Sequence, residues 1–278
     1  MRAIYSLFLL IIVLSVSCQN KAQKDFDDNR LCIEFQYTDK HIFFPGMIND
    51  SVLVTILFDT GLTTSYSMIS DSIRNILDRD SIHLQVGNFN KKIKTSSSSN
   101  NDPFFKFFGK NTICISWLYF EDKIIRISYR KQVIEELDNI ANADGYTKIK
   151  IQKTGKNGLL IPIIAYIQNK KIIENIQIDT GSSESMTFGN RILAKYDIKS
   201  HNALHVTSMM SEGNLYKYFI RADSVKIGDL YTKGCYVGFG INKINMKLLG
   251  NEILERFDVI LDLEDFYIYL KPEQEQEK

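Results

Sequence analysis

Twice in this chain an apolar run meets the tripeptide Asp-Thr-Gly, as ILFDTGL at residues 56–62 and IQIDTGS at residues 176–182. An Ile-rich run suits a buried strand, and an Asp-led turn is an ordinary way to end one. What constrains the chain is that the surroundings recur as well. Three β-like runs precede the first acid, at residues 31–37, 41–48 and 51–58. Three precede the second, at 147–152, 158–167 and 171–178, with turn-type breaks between them. The middle run of each set carries a Pro after two apolar residues, Phe43-Phe44-Pro45 and Leu160-Ile161-Pro162. Pro45 lies 14 positions before Asp59 (59−45) and Pro162 lies 17 before Asp179 (179−162), a difference that a longer hairpin loop would absorb.

The correspondence continues downstream of the acids. Gly87 in LQVGNFNKKI aligns with Gly228 in VKIGDLYTKG. Phe107-Phe108-Gly109 then aligns with Leu248-Leu249-Gly250, at the same 22-residue distance in both (109−87 and 250−228). Four blocks in one order are a duplication. Residues 30–130 form one half and 147–272 the other. In the intervening segment 131–146, Val133, Ile134, Leu137, Ile140 and Ala141 recur at helical spacing before Gly145, which predicts a short linking helix. Residues 273–278 are a solvated tail.

The N-terminus has a different character. Arg2 is followed by an apolar run at residues 3–14, and Ser15-Val16-Ser17 leads into Cys18. A basic start, a short apolar core and small residues before a cut point predict a signal peptide over residues 1–17. Small residues before a Cys resemble the lipobox of bacterial lipoproteins, with Ser15 where Leu is commonest. That resemblance implies lipidation of Cys18, a flexible tether over 18–29, and an exported protein held at a bacterial membrane on its periplasmic or surface face. Ordinary cleavage near Ser17, leaving Cys18 as a free thiol, is the alternative. Cys32, Cys114 and Cys235 remain, an odd set without CxxC spacing that implies no disulfide framework; they are read as three buried thiols, with one disulfide and a free thiol as the alternative. A formal net charge of +1 over 278 residues offers no electrostatic footprint for nucleic acid.

The two motifs and their flanks resemble the aspartic proteases of the pepsin and retroviral-protease group. In that family two homologous halves each deliver Asp-Thr/Ser-Gly after an apolar strand, and each later packs a hydrophobic-hydrophobic-Gly behind the acid loop. The resemblance covers most of residues 30–272. It implies an all-β fold of two pseudo-symmetric barrel-like halves and an aspartic endopeptidase activity on peptide or protein substrates. It assigns catalysis to Asp59 and Asp179, with Thr60, Gly61, Thr180, Gly181 and Ser182 supporting them. Two carboxylates held about 3 Å apart cannot both ionise, so the pair shares a proton; one takes a proton from a bridging water while the other polarises the scissile carbonyl. The chemistry needs no metal and no cofactor, and two motifs in one chain predict a monomer.

Two departures from the family pattern stand out. Leu62 follows the first motif, so Asp59 lacks the hydroxyl neighbour that Ser182 gives Asp179. The interval from Asp59 to Gly87 is also shorter than that from Asp179 to Gly228 (28 against 49), the surplus being residues 202–224. Two β-like runs around Gly213-Asn214 predict a hairpin there. The second half would then carry the substrate-covering flap that the first has lost. Met209, Met210, Gly213, Tyr216 and Tyr218 are its candidate substrate contacts, with simple packing of the hairpin as the other reading. His201 and His205, four apart, lack an acid or Cys cluster to make a metal site. A different class of function is a non-catalytic envelope lipoprotein that uses the same scaffold to bind a peptide or protein partner.

Overall fold

The computed structural model describes residues 30–62, 67–77, 81–140, 143–201, 203–210, 213–242 and 245–273, with backbone alone for 208–210, 213 and 214. The predicted signal peptide, Cys18 and the predicted tether lie outside these residues. The described residues from Leu31 onward form one compact unit built almost entirely of strands in three sheets.

The first sheet begins with the hairpin His41–Ile48 and Val52–Phe58. Asn49 and Asp50 in its turn both have positive φ, 48° and 56°. That is the primed geometry whose twist matches paired strands, and short polar residues tolerate it. Val52–Phe58 pairs in parallel with Thr112–Ile115, which pairs with Ser67–Ser70, then Phe89–Ser98, then Ser81–Val86. Met47 and Ile48 pair with Gln85 and Leu84, closing the sheet into a six-stranded barrel. Ile42, Phe44, Ile48, Ile56, Phe58, Ile82, Leu84 and Ile93 fill it.

The second sheet repeats the succession of pairings. Leu159–Ile167 and Lys170–Ile178 form the hairpin, turning through Gln168 and Asn169, again both at positive φ. Pro45 faces Thr55 and Pro162 faces Asn175, each partner four residues before its acid (59−55 and 179−175). The extra residues of the second hairpin therefore lie in its strands, not in a longer loop. Lys170–Ile178 runs parallel to Lys247–Leu249, which pairs with Met186–Gly189 and, through it, Tyr236–Gly240. This sheet does not close. Where the first half has the single strand Phe89–Ser98, the second has Leu230–Thr232 and Tyr236–Gly240 separated by Lys233-Gly234-Cys235. A hairpin, Leu204–Met210 with Gly213–Arg221, extends one end of the sheet. The expectation of two barrel halves is thus met by one closed barrel and an open sheet.

The third sheet has six antiparallel strands in the order Cys32–Glu34, Val133–Leu137, Ile124–Ser128, Phe257–Asp262, Tyr267–Pro272 and Thr147–Lys150. The strand Val133–Leu137 falls in the segment predicted to be a linking helix, and no helix forms among the described residues of that segment. The apolar spacing there is real, but it is spent differently. Ile134 turns into the main core, while Leu137, Ile140 and Ala143 pack on Ile124, Ile260 and Tyr269. Pairing with Ile124–Ser128 on one side and Cys32–Glu34 on the other outweighs a local helical pattern. Cys32 is exposed on this strand, unlike Cys114 and Cys235, because Ile33 beside it takes the inward position.

A second expectation also changes. Pro103–Phe108 is a helix, capped by the Asp102 side chain accepting the Phe104 N–H at 2.9 Å and ended by Gly109 at φ 93°. The strand beside the first acid is instead Thr112–Ile115. Phe58 pairs with Ile115 as Ile178 pairs with Leu249. Cys114-Ile115-Ser116, not Phe107-Phe108-Gly109, therefore stands where Leu248-Leu249-Gly250 stands. The equal 22-residue intervals were a coincidence that hid an inserted helix.

Candidate active site

Each acid is delivered by the end of a parallel strand pair. Asp59 N–H donates to Ile115 O at 2.9 Å, and Asp179 N–H donates to Leu249 O at 2.9 Å. The loop then folds back on its own carboxylate. Gly61 N–H donates to Asp59 Oδ1 at 2.7 Å, with Leu62 N–H on the same oxygen at 3.1 Å, and Gly181 N–H donates to Asp179 Oδ1 at 3.0 Å.

The two loops interlock through their threonines. Thr60 N–H donates to Thr180 Oγ1 and Thr180 N–H to Thr60 Oγ1, both at 3.0 Å. Each hydroxyl then donates across to the strand before the other acid, Thr60 to Ile178 O at 2.9 Å and Thr180 to Phe58 O at 2.8 Å. Both side chains are fully buried, so four otherwise orphaned groups satisfy one another. The glycines explain how close the loops come. A Cβ on Gly61 would sit 2.5 Å from Asp179 Cγ, and one on Gly181 would sit 2.6 Å from both Asp59 oxygens. Neither glycine is needed for a positive φ; both are needed because the opposite carboxylate occupies the space.

Asp179 is buried, Asp59 half-buried. Burial pushes the Asp179 carboxyl well above the usual aspartate range, reinforced by the Asp59 charge and a hydrogen bond to Asp59. The Gly181 N–H and the Lys217 charge pull the other way. Ser182 takes part through its backbone, its N–H donating to Asp179 O at 3.2 Å and its carbonyl accepting from Asn251 at 2.8 Å. Gly250 packs against this segment so tightly that a Cβ would lie 2.7 Å from Ser182 O.

Three neighbours of the acids carried no recognisable signal in the sequence. Cys114 donates its thiol to Asp59 Oδ2 at 3.4 Å. His41 is buried with Nδ1 lacking a partner; burial holds its imidazole below the ordinary value, against the raising pull of the Asp39 and Gly181 backbones and of the Asp59 charge. Lys217, 5% exposed, sits on the hairpin and binds both Glu184 oxygens at 2.5 Å and Thr187 Oγ1 at 3.4 Å. A lysine in a run such as LYKYF reads as surface, and only the pairing of Lys217 against Gly240 turns it inward. Finding Cys114 required the alignment that places it opposite Leu248.

The predicted flap residues lie on the hairpin Leu204–Met210 and Gly213–Arg221, where Met210 pairs with Gly213 and Met209 with Asn214. Tyr216 is half exposed, and Tyr218 stacks edge-on against His205 with ring centroids 4.6 Å apart. Both alternate with Leu215 and Lys217, which face inward. The hairpin reaches the Pro103–Phe108 helix of the first half. Among the described residues no group of three or more His, Cys, Asp and Glu side chains is placed to hold a metal, and no helix is long and apolar enough to cross a membrane.

An aspartic proteinase from Irpex lacteus superposes with a TM-score of 0.54 over 87% of this chain and 97% of that one, at 10% identity. The chain has an aspartic-proteinase fold. A retropepsin-like aspartic protease from Rickettsia conorii is also similar, 22% identical over 45% of this chain and 90% of its own, with a TM-score of 0.36. No protein-family model matches the sequence, and no curated protein matches it either.

Proposed function

We propose that this protein is an aspartic endopeptidase in which Asp59 and Asp179 share one proton and activate a water between them. The observation that supports this reading is the reciprocal packing of each acid on the opposite loop's glycine, with the Asp59 charge acting on the buried Asp179. Asp179, the carboxyl held above its usual range, keeps the proton and donates it toward the scissile carbonyl oxygen. Asp59 accepts a proton from the water as its oxygen attacks the carbonyl carbon. Collapse of the tetrahedral intermediate breaks the C–N bond: the leaving amine takes the proton from Asp59, and one hydroxyl of the intermediate returns its proton to Asp179 as the carbonyl re-forms. Thr60 and Thr180 hold the pair in register, while Gly61, Gly181 and Ser182 shape the loops. In this reading the closed barrel and the open sheet are the two pseudo-symmetric halves.

The hairpin at 204–221 is the flap, with Met209, Met210, Gly213, Tyr216 and Tyr218 as candidate substrate contacts; closing it excludes water and aligns the peptide. The enzyme works as a monomer on a peptide or protein, exported and tethered through a lipid on Cys18. A second reading, a peptide-binding lipoprotein without catalysis, is favoured by Leu62, which denies Asp59 a hydroxyl neighbour.

Peptide-library cleavage followed by mass spectrometry, over about pH 3 to 8, separates the two. Hydrolysis by residues 19–278 that disappears in both Asp59→Asn and Asp179→Asn is the expected result. A folded parent that cuts nothing moves the binding reading ahead, and cleavage surviving in either variant removes the shared-proton pair.

A further inference from the structure

Asp59 and Asp179 are not held alike. Oδ1 of Asp59 receives two backbone N–H groups, and its Oδ2 receives the Cys114 thiol. The position matching Cys114 in the second half is Leu248, which has no donor to offer. The first half also lacks the hydroxyl after its motif, where Leu62 stands. We propose that Cys114 is a positioning residue, its S–H replacing that missing hydroxyl as the donor that orients the outer oxygen of Asp59 toward the bridging water.

The thiol is suited to donate rather than to react. Cys114 is 1% exposed in the short strand Thr112–Ile115, its backbone locked between Val52–Phe58 and Ser67–Ser70. Burial pushes its ionisation well above the ordinary thiol value, and the Asp59 and Asp179 charges push it further. The sulfur therefore keeps its proton and has it to give. With Oδ1 held by the loop N–H groups and Oδ2 by the thiol, the Asp59 carboxyl is fixed in rotation for proton transfer. The other groups acting on this pair are His41 and, through Asp179, Lys217. The contact itself is independent of the hydrolase reading; its catalytic consequence rests on that reading.

Infrared difference spectroscopy of the full chain against Cys114→Ala isolates the S–H stretch of this one thiol. The expected band lies below that of a free thiol and moves up in Asp59→Asn. In cleavage assays, Cys114→Ala is expected to lower kcat by roughly 3- to 10-fold with KM unchanged, while Cys114→Ser restores kcat. A band indifferent to Asp59→Asn overturns the contact. A Cys114→Ala enzyme with the parent's kcat, or a folded Cys114→Ser enzyme that does not restore it, overturns the positioning role. Failure of the hydrolase reading would look different: no variant would cut, and the band would still decide the contact.

Discussion

Gly61 and Gly181 owe their identity to what stands opposite them. Adding one methyl at either would place a carbon inside the contact distance of the other loop's carboxylate, and the carboxylate cannot retreat because its own loop N–H groups hold it. Gly61→Ala should therefore cost about 1–3 kcal/mol of stability, the usual toll of overpacking, and abolish cleavage, read by urea unfolding and peptide hydrolysis. Asp179 yields a pH prediction of definite sign. Its folded-state pKa lies well above the ordinary value of about 3.9, so the folded protein binds that proton more tightly than the unfolded chain does. The stabilisation is fully present below about pH 3.9 and is lost as pH rises through the folded value. Asp179→Asn, which cannot ionise, should melt higher than the parent at neutral pH and converge with it in acid, as calorimetry across that range would show.

Beyond its pairing with Tyr236–Gly240, the hairpin Leu204–Met210 and Gly213–Arg221 is anchored by an inward cation, Lys217. Lys217 clamps the hairpin to Glu184, which lies just beyond the second motif, and Glu184 is itself only 17% exposed. Lys217→Met removes that cation from a largely desolvated carboxylate, and breaking a buried pair costs about 3 kcal/mol or more. The expected signature is a lower urea midpoint together with faster hydrogen exchange in the hairpin amides than in the barrel. Uniform acceleration across the protein would mean that the pair supports the whole fold rather than the hairpin.

The six-stranded sheet joins the two halves. Two of its strands come from residues 30–130, one, Val133–Leu137, from the segment between the halves, and three from residues 147–272, and they meet along Ile124–Ser128 and Phe257–Asp262. Arg126 from one side meets Asp258 from the other, its Nε donating at 2.9 Å, with the Tyr146 hydroxyl on the same carboxylate at 2.8 Å. Nearer the acids, the fully buried Asn251 donates to Lys40 O at 2.7 Å and Thr180 O at 2.6 Å and accepts from the Tyr129 hydroxyl at 2.7 Å. Trp117, its counterpart in the first half, donates to Asn157 O at 2.7 Å in the second. Asn251→Leu conserves volume and strands three polar groups, so a loss of roughly 3 kcal/mol is expected. Because Asn251 ties the halves together, unfolding followed by tryptophan fluorescence, which reports Trp117, and by circular dichroism should stay coincident in the parent and separate in the variant.

The duplication, the acid strands, the hairpins through Asn49-Asp50 and Gln168-Asn169, and the flap-like hairpin were legible in the sequence because each rests on local chemistry: alternation, turn residues and motif spacing. The strand at Val133–Leu137, the inserted helix Pro103–Phe108 and the alignment of Cys114 with Leu248 were not, because strand pairing joins residues far apart and can override a helical pattern or an equal count. Closure of one sheet and not the other depended on whether the strand after Gly228 ran unbroken, which only the packed chain decides. The sequence by itself determined which two carboxyls to compare. Tertiary structure alone decided that each would rest on the other's glycine and that a thiol, a histidine and a buried lysine would surround them. Those contacts depend on distances across the fold, for which a linear chain carries no local signal.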